Sequence, residues 1–153
     1  MSLSQAIAYR QSLYERGASL VLTNGHFDLL HVGHLDYLEK ARALGDALLV
    51  GVNADRGTLH HKGSGRPLVP DYERARLLAA LNPVDGVILF EDETADNLIR
   101  ALTPQIYVKG GDYRDKLLPE RATVEALGGT VVLIDYLPDH STSALIAKIR
   151  ALP

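Results

Sequence analysis

The sequence predicts an α/β fold: a Rossmann-like, doubly wound parallel sheet of five strands, with helices on both faces, in a single domain. Short apolar runs alternate about five times with amphipathic segments, which is the order expected of strand-then-helix units. Several apolar runs are continuous, such as Leu48-Leu49-Val50, as is typical of strands buried on both faces. Crossovers between the parallel strands are expected to be right-handed.

Apolar periodicity and turn residues set the boundaries of the elements. Residues 1–153 are predicted to form one domain, in which residues 1–17 hold an N-terminal helix ended by Gly17 and residues 20–150 form the core. The predicted strands are Leu20–Thr23, Ala47–Asn53, Val87–Phe90, Ile106–Val108 and Thr130–Ile134. The predicted helices are Ser4–Glu15, Gly33–Leu44, Asp71–Leu81, Thr94–Leu102, Glu120–Leu127 and Ser141–Arg150.

Composition narrows the class of protein. With 46% hydrophobic and 23% charged residues, the 153-residue chain has the make-up of an ordinary globular domain with a sizeable core. A net charge of −3 argues against a broad nucleic-acid or membrane surface, so a bound polyanion needs local positive groups. The chain has no cysteine, and neither an apolar stretch of membrane-spanning length nor a secretion pattern. We therefore expect a cytoplasmic protein with no nucleic-acid or membrane partner.

The loops that follow the predicted strands carry the chemically interesting residues. They hold Asn24 and Gly25, then Asn53 to Asp55, then Lys109 to Asp112, and finally residues 135–140. In doubly wound sheets ligands bind outside the carboxyl ends of the strands, near the point where the strand order reverses. The pattern predicts that these loops form one binding rim.

Two histidines open the helix after the first strand. His31 and His34 are three residues apart, which places both imidazoles near one face of the first helical turn. That turn also presents unpaired backbone N–H groups and the positive end of the helix dipole, and Gly33 lets a phosphate approach the backbone. A zinc site is the alternative interpretation. Only Asp28 and Asp36 lie nearby as further ligands, so phosphate binding is favoured.

Three more segments join the predicted rim. The loop His60 to Pro67 contains Lys62 and Arg66 on either side of Gly63 and Gly65, which indicates either a solvated loop or a lid that closes cations over a phosphate. Lys109 directly follows an apolar strand, where a cation needs a partner, and Gly110 and Gly111 allow close approach of a ligand while Asp112 can bind sugar hydroxyls. The run Ser141-Thr142-Ser143 predicts a helix N-cap, a geometry that also suits an anion.

The segment Gly25-His26-Phe27-Asp28-Leu29-Leu30-His31-Val32-Gly33-His34 resembles the GxFDxxHxGH signature of the cytidylyltransferase-like nucleotidyltransferases. Within them the chain is most similar to the adenylyltransferase domain of the bifunctional ADP-heptose synthases of lipopolysaccharide core biosynthesis. The similarity runs from about Leu20 to Arg150, and it includes the Lys62, Lys109 and Ser141 blocks in the same order.

The resemblance implies a nucleotidyltransferase that joins heptose 1-phosphate to ATP and releases pyrophosphate. Mg²⁺ would enter with the triphosphate, no protein metal ligands are assigned, and a separate sugar kinase would supply the acceptor; a homodimer is compatible with the family. With the rim, it assigns catalysis to His31, His34 and Lys62. It assigns nucleotide binding to Asn24, Gly25, His26, Phe27, Gly33, Arg74, Lys109, Gly110, Ser141, Thr142 and Ser143. It assigns acceptor binding to Asp28, Asn53, Asp55, Arg66, Gly111 and Asp112.

Two positions depart from the family pattern. Asp139 stands where a glycine is usual before the Ser-Thr run, and His26 stands where a small or apolar residue is usual. Two alternative functions stay open. Glycerol-3-phosphate cytidylyltransferases share HxGH, although Gly110-Gly111-Asp112-Tyr113 favours heptose over glycerol, and a nucleotide-binding regulatory module without turnover is the alternative of another class.

Overall fold

The computed structural model describes residues 1–55, 66–114 and 116–152, with the backbone alone for Asp112. Its strands are β1 (Leu20–Gly25), β2 (Ala47–Asn53), β3 (Gly86–Phe90), β4 (Ile106–Gly110) and β5 (Thr130–Ile134). Its helices are α1 (Leu3–Glu15), α2 (Val32–Arg42), α3 (Asp71–Ala79), α4 (Asp96–Leu102), α5 (Arg121–Ala126) and α6 (Thr142–Arg150), with a 3₁₀ turn at Gly111–Tyr113.

The five strands form one parallel sheet in the order β3-β2-β1-β4-β5. Leu22 in β1 pairs with Leu49 in β2 and with Tyr107 in β4, so β1 and β4 lie side by side at the centre. The chain order reverses between these two strands, which is the place where such sheets bind ligands. The predicted fold class is confirmed.

Each face of the sheet has its own apolar core, because successive strand residues point to opposite faces. Leu20 and Leu22 pack on one face with residues of α1, α4 and α5. Val21 packs on the other face with residues of α2 and α3. Helix α6 contributes no fully buried residue to either core.

The predicted bounds of β2 and β5 match the structure, but β1 and β4 each continue two residues further. Asn24 and Gly25 still pair with β2, and Lys109 and Gly110 still pair with β5. Parallel pairing uses backbone groups and does not require apolar side chains, so the polar ends of these strands remain in the sheet. The polar residues at the switch point are therefore held on rigid strand ends rather than on loops.

Three helices begin later than predicted. Helix α4 starts at Asp96 rather than Thr94, α5 starts at Arg121 rather than Glu120, and α6 starts at Thr142 rather than Ser141. Thr94 and Glu120 are left in the connecting segments, where both line the central cleft described below. In the described part of the chain, no helix has the length and apolar character needed to cross a membrane.

Candidate active site

A cleft of about 1180 Å³ opens at the carboxyl ends of β1 and β4. We call one wall the histidine lip; it consists of His31, Gly33, His34 and residues 136–144. We call the other wall the Glu120 lip; it consists of Glu93, Thr94, Pro119 and Glu120. The histidine lip lies at the start of α2, over one core, and the Glu120 lip lies where α4 and α5 cover the other core. The cleft floor comes from the ends of the central strands, including Asn24, Gly25, Asn53, Lys109 and Gly110.

The two histidines lie against each other on the histidine lip. His31 is the N-cap residue of α2 with extended backbone, and its side chain makes no capping hydrogen bond. The centroids of the His31 and His34 rings are 4.0 Å apart. A Cβ atom at Gly33 would come within 3.0 Å of both His31 Nδ1 and His140 Cβ. Glycine at this position therefore allows the rings and the 136–144 segment to meet at the helix N-terminus.

Both imidazoles are shifted toward the neutral form. Burial, followed by the neighbouring His31, lowers the pKa of His34 to about 4. Burial and then His140 lower the pKa of His31. Within residues 1–55, 66–114 and 116–152, Nδ1 of each ring is buried without a hydrogen-bond partner. Buried polar atoms are normally satisfied, so two adjacent exceptions at a helix N-terminus indicate a place for a ligand.

A strained turn positions Phe27 behind the histidines. Phe27 has a φ of 49°, a left-handed conformation that is unusual for an aromatic residue. Its ring lies 5.4 Å from the His34 ring, and a Cβ at Gly25 would come within 3.0 Å of it. The turn thus folds the ring back over Gly25 and against His34. Backbone strain of this kind is concentrated at functional sites.

Lys109 lies at the end of β4, on the cleft floor. Its side chain is buried, its Nζ donates to Asn24 Oδ1 at 3.1 Å, and it lies 5.0 Å above the centre of the Tyr113 ring. The Tyr107 hydroxyl donates to the same oxygen of Asn24, and burial followed by the charge of Glu120 raises the pKa of Tyr107. A buried cation is thereby held between aromatic rings and an amide oxygen at the switch point.

Arg74 and Asp55 do not line the cleft. Arg74 is fully buried, and all three guanidinium nitrogens donate hydrogen bonds. The acceptors are the carbonyls of His26, Asn53 and Val69 and the Asp55 carboxylate, which lies 2.7 Å from NH2. Instead of facing a nucleotide phosphate, Arg74 ties the end of β2 to the Gly25–Asp28 turn from behind.

Asp28 and Arg66 form an ion pair at the cleft edge. The distance from Arg66 NH1 to Asp28 Oδ2 is 2.6 Å, and Asp28 Oδ1 accepts from the N–H groups of Leu68 and Val69. Burial by itself raises the pKa of Asp28, but these hydrogen bonds outweigh it and hold the pKa below its usual value. The Asp28 carboxylate therefore fixes the segment after residue 65 over the cleft.

The N-terminus of α6 meets the histidine lip. Ser141 Oγ accepts from Ala144 N at 3.0 Å, so the predicted N-cap is confirmed. Asp139 has a φ of 63°, in the left-handed region that favours glycine and that aspartate tolerates better than most residues. The backbone at position 139 therefore has the conformation that suits the glycine usual in the family, although the residue in this chain is aspartate. Across the cleft, a side chain at Gly110 would overlap the Tyr136 hydroxyl.

The structure brings most of the predicted residues into one cleft. Those that line it are Asn24, Gly25, His26, Phe27, Asp28, His31, Gly33, His34, Asn53, Arg66, Lys109, Gly110, Ser141, Thr142 and Ser143. Asp55, Arg74 and Gly111 do not line it. Lys62 and the rest of the predicted lid at residues 56–65 lie outside the described residues, as does the Asp112 side chain.

Sequence reasoning missed Tyr37, Thr94 and Glu120 as cleft residues. Tyr37 lies within α2, and the sequence pattern of a helix predicts that an aromatic residue there packs in the core. Its hydroxyl forms a hydrogen bond with Thr23 Oγ1 at 2.7 Å. The other two were placed in helices whose true starts come later. The described residues include no group of three or more histidine, aspartate or glutamate side chains arranged to hold a metal ion.

Comparison with known proteins agrees with this geometry. The profile of the cytidylyltransferase-like family matches residues 22–146, which include residues of all five strands and every residue that lines the cleft. The chain belongs to the cytidylyltransferase-like family. The resemblance of the HxGH segment to this family is thereby confirmed.

Several members of this family are similar over nearly the whole chain. The bifunctional protein HldE of Citrifermentans bemidjiense is 50% identical over 147 residues, which cover 96% of this chain and 30% of that protein. HldE of Methylobacillus flagellatus is 45% identical over 98% of this chain and 31% of its own length. The chain therefore spans about 30% of the length of the curated relatives that it matches.

A solved structure shares the fold. The lipopolysaccharide core biosynthesis protein from Thermoplasma volcanium GSS1 superimposes with a TM-score of 0.64 at 29% sequence identity. The alignment covers 78% of this chain and 97% of that one.

Proposed function

We propose that this member of the family is an adenylyltransferase that joins heptose 1-phosphate to ATP, giving ADP-heptose and pyrophosphate. A phosphate oxygen of the sugar 1-phosphate attacks the α-phosphorus of ATP. The new oxygen–phosphorus bond forms as the bond to the β-phosphate oxygen breaks, and pyrophosphate leaves with that electron pair. The acceptor is already a competent nucleophile, so no covalent enzyme intermediate is required.

The observation that carries the proposal is a pair of imidazoles at the N-terminus of α2 whose Nδ1 atoms have no hydrogen-bond partner among the described residues. Partly buried neutral rings can each donate one N–H to a phosphate oxygen, and the α2 N-terminus adds backbone N–H groups and a positive dipole. Charge builds on the α- and β-phosphate oxygens during transfer, and donors fixed in place before the reaction stabilise it most. His31 and His34 meet this requirement.

The remaining groups of the cleft supply positioning. The N-terminus of α6 adds N–H groups and hydroxyls beside the histidines, and Lys109 places a cation on the floor. We propose Mg²⁺ as the cofactor; it would come with the nucleotide and would supply positive charge against the triphosphate, and no residue of this chain is assigned to hold it. Four expectations remain predictions. They are that Lys62 acts as a lid cation, that a separate sugar kinase supplies the acceptor, that the protein forms a homodimer, and that it is cytoplasmic.

Heptose is favoured as the acceptor by the relatives. Proteins named bifunctional protein HldE match nearly the whole chain, and the Thermoplasma structure is titled a lipopolysaccharide core biosynthesis protein. The product would serve lipopolysaccharide core or surface glycan synthesis. The alternatives are a glycerol-3-phosphate cytidylyltransferase and a nucleotide-binding module without turnover. The two Nδ1 atoms that lack a partner within the described ranges favour turnover, because a module that only binds nucleotide has no need of donors at the reacting phosphates.

A matrix of nucleotides and acceptors tests the proposal. ATP, CTP, GTP and UTP are each combined with heptose 1-phosphate, mannose 1-phosphate and glycerol 3-phosphate, and pyrophosphate release is measured. We expect the highest kcat/KM with ATP and heptose 1-phosphate, and little turnover with glycerol 3-phosphate. A preference for CTP or glycerol 3-phosphate would overturn the substrate assignment. Absence of pyrophosphate release from every pair would favour the regulatory module.

A further inference from the structure

Glu120 carries an unsatisfied polar atom on the lip opposite the histidines. The residue is only 5% exposed, although it lines the cleft. Its Oε1 accepts from Ala95 N at 3.3 Å, while Oε2 is buried without a hydrogen-bond partner among the described residues. Leaving a carboxyl oxygen in this state destabilises a protein unless something else binds it.

The neighbouring Asp96 shows what a purely structural carboxylate looks like at this place. Asp96 Oδ2 accepts from the Thr94 hydroxyl at 2.6 Å, and Oδ1 accepts from the Thr123 hydroxyl. Both of its oxygens are satisfied within the lip, and these bonds join the start of α4 to α5. Asp96 already joins α4 to α5. A structural role in this contact therefore does not explain why Glu120, beside it, has one carboxyl oxygen without a hydrogen-bond partner among the described residues.

The position and chemistry of Glu120 indicate what it binds. A carboxylate oxygen only accepts hydrogen bonds and repels phosphate, so it suits a hydroxyl-bearing group. The phosphate-binding groups belong to the histidine lip and the floor, whereas the Glu120 lip offers the carboxyl oxygen and Thr94. A cleft of about 1180 Å³ also exceeds the volume that a single small ligand usually occupies.

We propose that Glu120 binds hydroxyl groups of the sugar acceptor and thereby selects the acceptor and orients its phosphate toward the histidine lip. This inference rests on the proposed function, because it takes the acceptor to be a sugar 1-phosphate. The carboxyl group acts through its Oε2, and its Oε1 remains bonded to Ala95. Glu120 is then a specificity-determining residue on the acceptor side and does not touch the reacting phosphorus.

The test uses Glu120→Gln, which keeps the size of the side chain and an oxygen for Ala95 N. Glu125→Gln is the matched control, because Glu125 lies in α5, the helix that Glu120 directly precedes, is exposed and pairs with Arg121 on the surface. With ATP and heptose 1-phosphate, we expect Glu120→Gln to lower kcat/KM for the acceptor by about 10- to 100-fold, as for loss of a hydrogen bond to a charged group. KM for ATP should stay within about twofold of wild type, and the control should change neither value by more than that.

Two further measurements separate sugar binding from a structural role. If Oε2 serves only the substrate, the melting temperature of Glu120→Gln without ligands should equal or exceed that of wild type. The second measurement uses acceptors that each lack one hydroxyl, and compares kcat/KM for each acceptor in wild type and in Glu120→Gln. Removing the hydroxyl that Glu120 binds should lower kcat/KM in wild type but should have no further effect in the variant. The wild-type series identifies that hydroxyl even where a variant folds poorly.

The outcomes are distinct. Normal wild-type turnover with an unchanged acceptor kcat/KM in Glu120→Gln would overturn this inference and leave the proposed function standing. A lower melting temperature, together with equal losses for ATP and every acceptor, would show a structural role and also overturn it. Wild-type protein that uses no sugar 1-phosphate would overturn both proposals.

Discussion

Two polar clusters flank the Gly25–Asp28 turn, and they differ in how completely they are satisfied. Behind the turn, every guanidinium nitrogen of Arg74 donates to an oxygen. In front of it, His31 and His34 each keep a buried nitrogen without a partner in the described part of the chain. A satisfied buried group fixes the fold, whereas an unsatisfied one is available to a ligand. The contrast sets a structural cluster on one side of the turn against the cluster that we propose to be catalytic on the other side.

Removing Arg74 should break the structural side of this contrast and should have the largest effect. Arg74→Ala leaves three backbone carbonyls and the Asp55 carboxylate without their donor. We expect the free energy of unfolding to fall by about 3–5 kcal/mol, because several acceptors lose their donor at once and each buried group left unsatisfied costs about 1–3 kcal/mol. Urea unfolding measures it. The exposed Arg76 on the same helix is the control, and Arg76→Ala should cost no more than about 0.5 kcal/mol. Equal losses in the two variants would contradict the structural role of Arg74.

Removing His34 should do the reverse. His34→Ala should lower kcat/KM by roughly 10²- to 10³-fold, as for loss of one fixed donor to a developing oxyanion. The unfolding free energy should change little, because Nδ1 of this ring has no bond to lose within the described residues. Pyrophosphate release and urea unfolding on the same preparation test both halves. Turnover close to wild type would remove His34 from the catalytic assignment.

The pH dependence of stability gives a smaller effect of the same origin. In the unfolded chain the pKa of His34 is near its ordinary value of 6.5, whereas in the folded protein burial and then His31 lower the pKa to about 4, which sets the window between these two values. The unfolded state therefore binds more protons within this window, and the unfolding free energy falls as the pH is lowered through it. One proton corresponds to at most about 1.4 kcal/mol per pH unit, and solvent screening at the partly exposed ring reduces this.

The difference between wild type and His34→Ala isolates this contribution. Urea unfolding at several values between about pH 7 and pH 5 should show a shallower loss of stability in the variant. Parallel pH profiles for the two proteins would mean that His34 is protonated equally in the folded and unfolded states.

The smallest expected effect concerns Asp139 at the edge of the histidine lip. Asp139→Gly should raise the unfolding free energy by no more than about 1 kcal/mol, since relief of the left-handed backbone slightly exceeds the added flexibility of the unfolded chain. Asp92→Gly is the control, because Asp92 has no positive φ and the exchange should only destabilise. Thermal unfolding compares the two. A loss of stability in Asp139→Gly would show that the aspartate side chain contributes more than its backbone strain costs.

Most of the fold, but only part of the candidate site, could be predicted from the sequence. Continuous apolar runs revealed all five strands because both faces of this sheet are buried, and the bounds of β2 and β5 were right. The histidine lip could be found because its residues lie close together in the chain. Arg74 could not be placed, since a helical arginine looks the same in sequence whether it faces a phosphate or a ring of carbonyls. Glu120 was missed because its burial depends on how α4 and α5 meet, which is a tertiary contact without a local signal.

Helix α6 buries little surface, and this affects how stable the histidine lip is compared with the rest of the cleft. No residue of this helix is fully buried, yet its first turn completes the histidine lip. Segments with little buried surface open locally at a lower free energy than the central strands. The amide protons of α6 should therefore exchange with solvent while those of β1 and β4 remain protected. A nucleotide that spans the α2 and α6 N-termini would slow this exchange, because it would stabilise the wall of the cleft to which α6 contributes its first turn.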